Sequence, residues 1–454
     1  MNKWKQWLAG RELLEHEIPD EYLESIKTSS EVICTKGFRQ IGQRYVCERC
    51  GEKVECRETK YCQCEGNCGY CRSCIQMGKV KACSHLYHLP EKNIFQSHFR
   101  PPCQWSGKLS DQQDQAAKEI IKSIEKRENR LLWAVTGAGK TEMLFPGIND
   151  ALMKGYRVGL ASPRVDVCLE LAPRLKSAFP TIDISVLYGE SPETYRYTQL
   201  VIATTHQLLR FREAFDLLII DEIDAFPYHD SKVLHFATQK AVKKSGSMIF
   251  LTATPDNQLK KAMRSNELVA SILPARFHRH PLPVPQRVYV GDWRVKLLKK
   301  PKYSPVIRQM QIWLADGKRF LVFLPNIEWM LQWQKLLKNI FGEENYAAVY
   351  ANDPLRQEKV ADFRKGLYHF LLVTTILERG VTFPDIQVMV MGAEDRVFTC
   401  SALVQIAGRA GRAKDFPKGE VVFYHYGLTR AIKQACKQIK SMNDQARARG
   451  LIDE

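Results

Sequence analysis

Three sets of residues could do chemistry. The first lies in residues 130–141, R-L-L-W-A-V-T-G-A-G-K-T, where an apolar, strand-like run ends at Val135 and a glycine turn leads into Lys140 and Thr141. Gly137 and Gly139 let the backbone N–H groups of Thr136-Gly137-Ala138-Gly139 close around phosphates. Lys140 reaches the β/γ oxygens, and the Thr141 hydroxyl suits Mg²⁺. The usual loop opens with glycine, and Ala134 stands there instead. The second set follows 80 residues after Thr141. Residues 217–220, L-L-I-I, read as a short strand covered on both faces, and they end in Asp221-Glu222-Ile223-Asp224. Asp221 suits Mg²⁺, directly or through water, and Glu222 suits a water to be oriented or deprotonated. Loop and acidic strand predict each other, and together they indicate a nucleoside triphosphatase using Mg²⁺.

The third set is metal-binding. Eight of the chain's 14 cysteines lie from Cys47 to Cys74. Cys47-x₂-Cys50 and Cys71-x₂-Cys74 are two knuckles separated by 20 residues, the paired spacing of a structural zinc ribbon. Two thiolates from each close a tetrahedron around Zn²⁺ and leave no open position for catalysis. Cys56, Cys62, Cys64 and Cys68 stand between the knuckles. Cys68-x₂-Cys71 is an alternative knuckle, and the eight thiols would suffice for two ions. The favoured reading is one site at Cys47, Cys50, Cys71 and Cys74. Arg39, Arg44, Arg49, Lys53, Arg57, Lys60 and Arg72 surround the knuckles, interleaved with Tyr45, Tyr61 and Tyr70. Such a pattern either grips a nucleic-acid strand by phosphate contact and stacking or forms a solvated basic face.

The net charge of +17 and pI of about 9.2 favour a polyanionic partner, nucleic acid first and an anionic membrane surface second. The N-terminus lacks an apolar core of the secretory kind, and no run approaches the ~20 apolar residues of a spanning helix. The expected location is cytoplasmic, or peripheral on the cytoplasmic face of a membrane. There, clustered cysteines point to metal rather than disulfides.

These sets must be held by strands and helices. In residues 1–45, Trp4, Trp7, Leu8, Leu13 and Leu14 fit a short helix packing on the body. Residues 46–108 comprise the cysteine module and a connector holding Cys83, His85, His88 and Arg100-Pro101-Pro102. A helix begins after Ser110, a good N-cap. Strands at 156–161, 200–203 and 248–251 alternate with helices and end in polar residues, as in a parallel sheet with a ligand edge. Lobe 1 therefore covers 109–273. In 274–305 the prolines at 274, 281, 283 and 285 lie among Arg276, Arg279 and Arg287, a junction with a basic surface. Strands at 320–324, 347–350, 370–374 and 388–391 repeat the alternation without a phosphate loop, so 274–427 is linker and lobe 2. A helix is expected to carry residues 405–412. In 428–454, Leu428, Ile432, Ala435, Ile439 and Met442 share one helical face, which docks on the chain's own body by default.

The order A-V-T-G-A-G-K-T, D-E-I-D, T-A-T-P, Q-I-A-G-R-A-G-R resembles motifs I, II, III and VI of superfamily 2 helicases, among which A-x-x-G-x-G-K-T is a known loop variant. The fold so implied is α/β, two RecA-like parallel-sheet lobes behind a four-cysteine zinc module. The resemblance is closer still to the ComFA family of competence ATPases. It is carried by the four-cysteine module ahead of the helicase core, W-A-V-T-G-A-G-K-T-E-M-L-F-P-G-I, I-I-D-E-I-D-A-F-P-Y, P-A-R-F-H-R and T-T-I-L-E-R-G-V-T. It implies single-stranded DNA as ligand, ATP as fuel, zinc on the outer two cysteine pairs, and work beside the membrane DNA-uptake channel. It also implies a phosphoribosyltransferase-like partner, ComFC, and leaves a homo-oligomer open. In such an enzyme Gln113, from L-S-D-Q-Q, reads adenine. Lys140, Thr141, Asp221 and Glu222 face ATP from lobe 1, while Gln405, Arg409, Arg412 and Gly380 serve it from lobe 2. Thr252 and Thr254 couple hydrolysis to lobe movement. Arg164, Thr205, Thr374 and Thr375 are expected to hold DNA phosphates without reading sequence. The leading expectation is a motor importing transforming DNA. The alternatives are a PriA-like replication-restart or repair helicase, and an ATP-switched single-strand-binding scaffold. PriA-type cysteines sit within the helicase region rather than ahead of it.

Overall fold

The computed structural model describes residues 2–42, 44–54, 62, 64, 68–189, 191, 194–295, 301–378 and 383–453. Gly380 and Cys56 therefore lie outside the described residues, as do Arg57, Lys60 and Tyr61. The chain divides into two compact units, Met1–Leu132 with Thr141–Ser271, and Trp133–Lys140 with Ile272–Glu454.

The first unit opens with helix α1 (Lys3–Leu8) and strand β1 (Glu12–Leu14). Leu13 and Leu14 thus belong to a strand rather than the expected helix. Gly10, at φ +69°, turns the chain between them. After helix α2 (Asp20–Thr28), strands β2 (Ile33–Lys36) and β6 (His85–His88) complete an antiparallel sheet of order β1-β6-β2. The presumed connector therefore supplies this sheet's central strand. Strands β3 (Phe38–Ile41), β4 (Arg44–Cys47) and β5 (Lys53–Val54) form a second small antiparallel sheet that leads into the first knuckle.

Helix α3 (Asp111–Lys126) precedes a seven-stranded sheet. Its strands in chain order are β7 (Arg130–Ala134), β8 (Val158–Ser162), β9 (Ile184–Leu187), β10 (Leu200–Thr204), β11 (Phe215–Ile220), β12 (Val242–Thr252) and β13 (Val269–Leu273). In space they run β13-β7-β12-β11-β8-β10-β9, and β8 to β12 pair in parallel. Helices α4 (Lys140–Met153), α5 (Val165–Ala178), α6 (Lys232–Ala241) and α7 (Asn257–Arg264) alternate with the strands. One apolar core joins the cysteine module to this sheet: Leu14, Phe38, Cys47, Cys74, Val80 and Leu86 cluster with Leu131, Val201, Phe215 and Ile220.

Polar bonds reinforce that junction. The Arg157 guanidinium, fully buried just before β8, pairs with buried Glu91 at 2.8 Å and donates to the Ala9 carbonyl at 3.1 Å and the Tyr195 hydroxyl at 2.6 Å. Arg49, between the first two knuckle cysteines, is wholly buried against Glu17 at 2.8 Å, and Glu17 also accepts from Arg210 at 2.8 Å. Arg49 is thus a structural cation and no part of a strand-gripping face. Gly51 (φ +73°) closes the knuckle so tightly over α6 that a Cβ there would fall 2.5 Å from the Phe236 ring.

The second unit carries a six-stranded, wholly parallel sheet. Its strands are β14 (Gln286–Tyr289), β15 (Arg319–Phe323), β16 (Tyr346–Val349), β17 (Phe370–Val373), β18 (Ile386–Met391) and β19 (Val421–His425), ordered β14-β19-β18-β15-β17-β16. Helices α8 (Pro305–Ala315), α9 (Ile327–Phe341), α10 (Arg356–Lys365) and α11 (Cys400–Ala407) connect these strands. The proline-rich stretch read as a junction holds the edge strand β14, and an edge is where nearby prolines are tolerated. Helix α12 (Arg430–Ala448) buries Ile432, Ala435, Ile439 and Met442, as its periodicity indicated. Leu428 precedes the helix and stays exposed. Buried Asn443 fastens α12 by exchanging hydrogen bonds with the Leu282 backbone at 2.8 and 2.9 Å.

Candidate functional site

The phosphate loop leaves β7 at Ala134. Gly137 (φ +80°) and Gly139 (φ +72°) occupy left-handed backbone that a side chain would strain. Lys140 then opens α4, with Thr141 nearly buried behind it. This is a strand-to-helix turn that ends at a helix start, the backbone arrangement of an anion site. Gln113 is buried three residues into α3's cap. Its carboxamide oxygen accepts from the Ser110 N–H at 2.8 Å and hydroxyl at 2.9 Å, so here it caps a helix.

Strand β11, separated from β7 in the sheet order by β12 alone, delivers the acidic pair. The Asp221 N–H donates to the Ala161 carbonyl at 2.8 Å, and the Glu222 N–H donates to Asp221 Oδ1 at 2.8 Å. Glu222 sits at φ +55°, a conformation costing ~1–3 kcal/mol that clusters at functional sites. Burial pushes the neighbouring Cys168 thiol up to about 12, with Asp221's charge a lesser cause. Cys168 therefore stays a neutral filler under the acidic pair. Asp224 was only quoted in the motif, yet it links two segments. It accepts from Thr252 Oγ1 at 2.8 Å and, through its other oxygen, from Thr254 Oγ1.

In the second unit Gln405 lies buried on α11, but the helix ends at Ala407. Arg409 and Arg412 therefore fall in the turn beyond it, not on the expected helix. Gly408 and Gly411 explain this: glycine costs about 1 kcal/mol in a helix interior, and Gly411 adopts φ +61°. The freed carbonyls are taken by a buried guanidinium and an imidazole. Arg276 Nη2 donates to Gly408 O at 3.2 Å, Arg276 Nη1 donates to Gly411 O, and His278 Nε2 donates to Gly411 O at 3.2 Å. Arg276 is 1% exposed, so the expected basic surface is here a buried brace. Burial, with Arg412's charge second, lowers its guanidinium to about 9. The phosphate-loop segment belongs to the same unit: Gly137 O accepts from the Phe277 N–H at 3.0 Å, and a Cβ on Gly408 would strike Thr136. Arg409 is buried, with Nε donating to Glu378 O at 3.1 Å, while Arg412 is half-buried.

Of the residues expected to meet DNA, Arg164, Thr374 and Thr375 are half-buried at strand ends. Thr205 is completely buried, and its hydroxyl finds no hydrogen-bond partner. Its hydroxyl is therefore not at the surface of the described chain, whereas Thr374 and Thr375 are only half-buried. Thr205 stands at the head of a 3₁₀ turn (Thr205–Arg210) packed mainly against α6.

The four cysteines at 47, 50, 71 and 74 are all buried, and their sulfurs lie within 4.8 Å of one another. Cys47–Cys74 and Cys50–Cys71 are 3.8 and 3.5 Å apart. Zn–S bonds of ~2.3 Å require tetrahedral edges of ~3.8 Å, so the donor set fits a closed structural Zn²⁺ site.

Comparison with known proteins agrees with this construction. Residues 1–88 match the competence protein ComFA N-terminal domain, 111–262 the DEAD/DEAH box helicase domain, and 302–414 the helicase conserved C-terminal domain. The chain is 44% identical to competence protein ComFA of Bacillus subtilis over 445 residues, covering 97% of this chain and 95% of that protein. It is 42% identical to ComFA of Streptococcus pneumoniae over 378 residues, 83% and 86% of the two chains. Among solved structures, the DEAD-box helicase Mss116 bound to single-stranded RNA and UDP-BeF superposes with a TM-score of 0.55 at 17% identity, covering 74% of this chain and 78% of that one. The Mycobacterium smegmatis helicase Lhr bound to single-stranded DNA and AMP-PNP gives 0.55 at 18%, covering 74% and 50%. The two parallel sheets are RecA-like helicase lobes, the chain is a DNA-dependent ATPase of the helicase class, and by sequence it belongs to the ComFA family of competence proteins.

Proposed function

We propose that this competence-associated helicase is a single-stranded DNA translocase that draws transforming DNA into the cytoplasm by hydrolysing ATP. The observation that supports it best is the junction of Gly137 with Phe277 and of Thr136 with Gly408, which sets the phosphate loop against the turn bearing Arg409 and Arg412. Lys140 and the loop N–H groups bind the β/γ-phosphates, and Glu222 orients the attacking water. Arg409 and Arg412 stabilise charge on the transferred phosphoryl group. Thr141 and Asp221 would hold Mg²⁺, which supplies neutralisation of phosphate charge. The Asp224 bonds to Thr252 and Thr254 carry the state of the acidic strand to the next strand end, and Arg164, Thr374 and Thr375 hold DNA phosphates. The first cysteine quartet, holding Zn²⁺, contributes folding energy only. No helix among the described residues is long and apolar enough to cross a membrane. Work at the uptake channel therefore calls for peripheral docking, with a ComFC-like protein as partner.

The test measures ATP hydrolysis with and without single-stranded DNA, then streptavidin displacement from biotinylated strands. Stimulation by DNA lost in Lys140→Ala, and reduced about 10³-fold in Arg409→Ala, with displacement by the unsubstituted protein, supports the motor. Hydrolysis without displacement sinks translocation and leaves an ATP-switched scaffold.

A further inference from the structure

A second group of four cysteines lies apart from the first. The sulfurs of Cys62, Cys64, Cys68 and Cys83 are all within 4.8 Å of one another. Cys62–Cys83 and Cys68–Cys83 are 3.6 Å apart and Cys62–Cys64 is 3.1 Å. A disulfide would bring two sulfurs to ~2.05 Å, and none of the four is disulfide-bonded. Four thiolates around one ion at ~2.3 Å need edges of ~3.8 Å. An iron–sulfur cluster, with several metal atoms inside the thiolate cage, would hold them farther apart. The dimensions therefore select a single tetrahedral ion.

The backbone brings this group together independently of the sulfurs. Tyr70 and Lys81 form an antiparallel bridge, with the Ala82 N–H donating to Gly69 O at 2.9 Å and the Cys71 N–H to Val80 O at 2.9 Å. That short ladder places Cys83 next to Cys68 while Cys71 joins the first quartet. Cys68 and Cys71 thus serve different groups, and the alternative knuckle they would form does not arise. Cys83, two residues before β6, takes the place that Cys56 held among the spare thiols in the sequence reading.

We propose that Cys62, Cys64, Cys68 and Cys83 bind a second Zn²⁺, which ties the first three of these cysteines to Cys83 at the base of β6. The ligand set is closed, so the ion is structural. Its surroundings differ from those of the first quartet: Cys83 is exposed and Cys62 and Cys64 are half-exposed, whereas the first four cysteines are all buried. The second ion is accordingly the one that exchanges first with solvent.

The test is elemental analysis of the full chain reconstituted with zinc, beside cobalt substitution read by thiolate-to-metal charge-transfer absorption. The expected result is about two ions per chain in the unsubstituted protein and about one in Cys62→Ser/Cys83→Ser, whose cobalt absorption is halved. Cys56→Ser should keep both. A single ion in the unsubstituted protein that is still present in Cys62→Ser/Cys83→Ser overturns the inference and leaves the first quartet standing. Two ions surviving the double substitution also overturn it. One ion lost with the double substitution supports it and removes metal from the first quartet instead.

Discussion

Thr252 donates its hydroxyl to Asp224 at 2.8 Å, and Thr254 donates to the opposite oxygen of the same carboxylate. The acidic loop and the segment ending β12 are therefore tied together. Hydrogen bonds to a charged group contribute ~1.5–3 kcal/mol each. Replacing both threonines by alanine should reduce streptavidin displacement ~10-fold or more while changing ATP hydrolysis far less. Displacement and hydrolysis measured on one preparation check this, and a proportional fall in both would argue against a coupling role.

Arg276 braces the turn that carries Arg409 and Arg412. A displacement of ~1 Å at such a turn can cost ~10²-fold in rate. Arg276→Ala should lower kcat ~10–100-fold with a smaller change in KM for ATP. Arg276→Lys should rescue poorly, because an ammonium cannot span two carbonyls as a planar fork does. Steady-state kinetics of both variants provide the check, and a kcat restored by lysine would refute the fork.

His278 donates from Nε2 to Gly411 O and accepts at Nδ1 from the His280 N–H at 3.2 Å. Only the neutral ring does both. Burial, then the Arg276 charge, lowers it from 6.5 to about 4. Its folded value lies below its unfolded one, so its contribution is present above pH 6.5 and is lost as pH falls toward about 4. Tm should fall across that window, and His278→Gln should flatten the slope. Differential scanning calorimetry as a function of pH decides it.

Glu91 and Arg157 are both buried completely. Removing one partner leaves an unpaired charge in the core, at a cost of ~3–5 kcal/mol. Glu91→Gln should therefore shift the urea midpoint strongly downward, whereas breaking the exposed Arg196–Asp183 pair should cost at most ~1 kcal/mol. Equilibrium unfolding of the two variants tests the contrast.

The nucleotide loop was readable because its glycines, Lys140 and Thr141 fall within residues 137–141 and their chemistry demands that spacing. The acidic strand was readable because apolar residues 217–220 stop abruptly at Asp221. What escaped is tertiary. Arg49 and Arg276 read as solvent-facing cations, since nothing local marks that Glu17, or the carbonyls of Gly408 and Gly411, will enclose them. Gln405 lies on the expected helix, but glycines beyond it end that helix early and change how Arg409 and Arg412 are presented. Cys83 lies 15 residues beyond Cys68. Only the Tyr70–Lys81 bridge brings it back, so counting cysteines could not choose it over Cys56. Thr205 matched a strand-end pattern, yet it is wholly buried.

The core shared by the cysteine module and the β7–β13 sheet leaves no seam along which the two could be separated. Cys47 and Cys74 belong to the same apolar cluster as Phe215 and Ile220, six residues and one residue before Asp221 in the acidic strand. A chain trimmed to begin at residue 109 would expose that cluster to water and should aggregate rather than yield a minimal enzyme. An ion held by the first quartet would accordingly sit in the ATPase lobe's own core, so that stripping it with a chelator would cost that lobe its stability and not merely a flanking module.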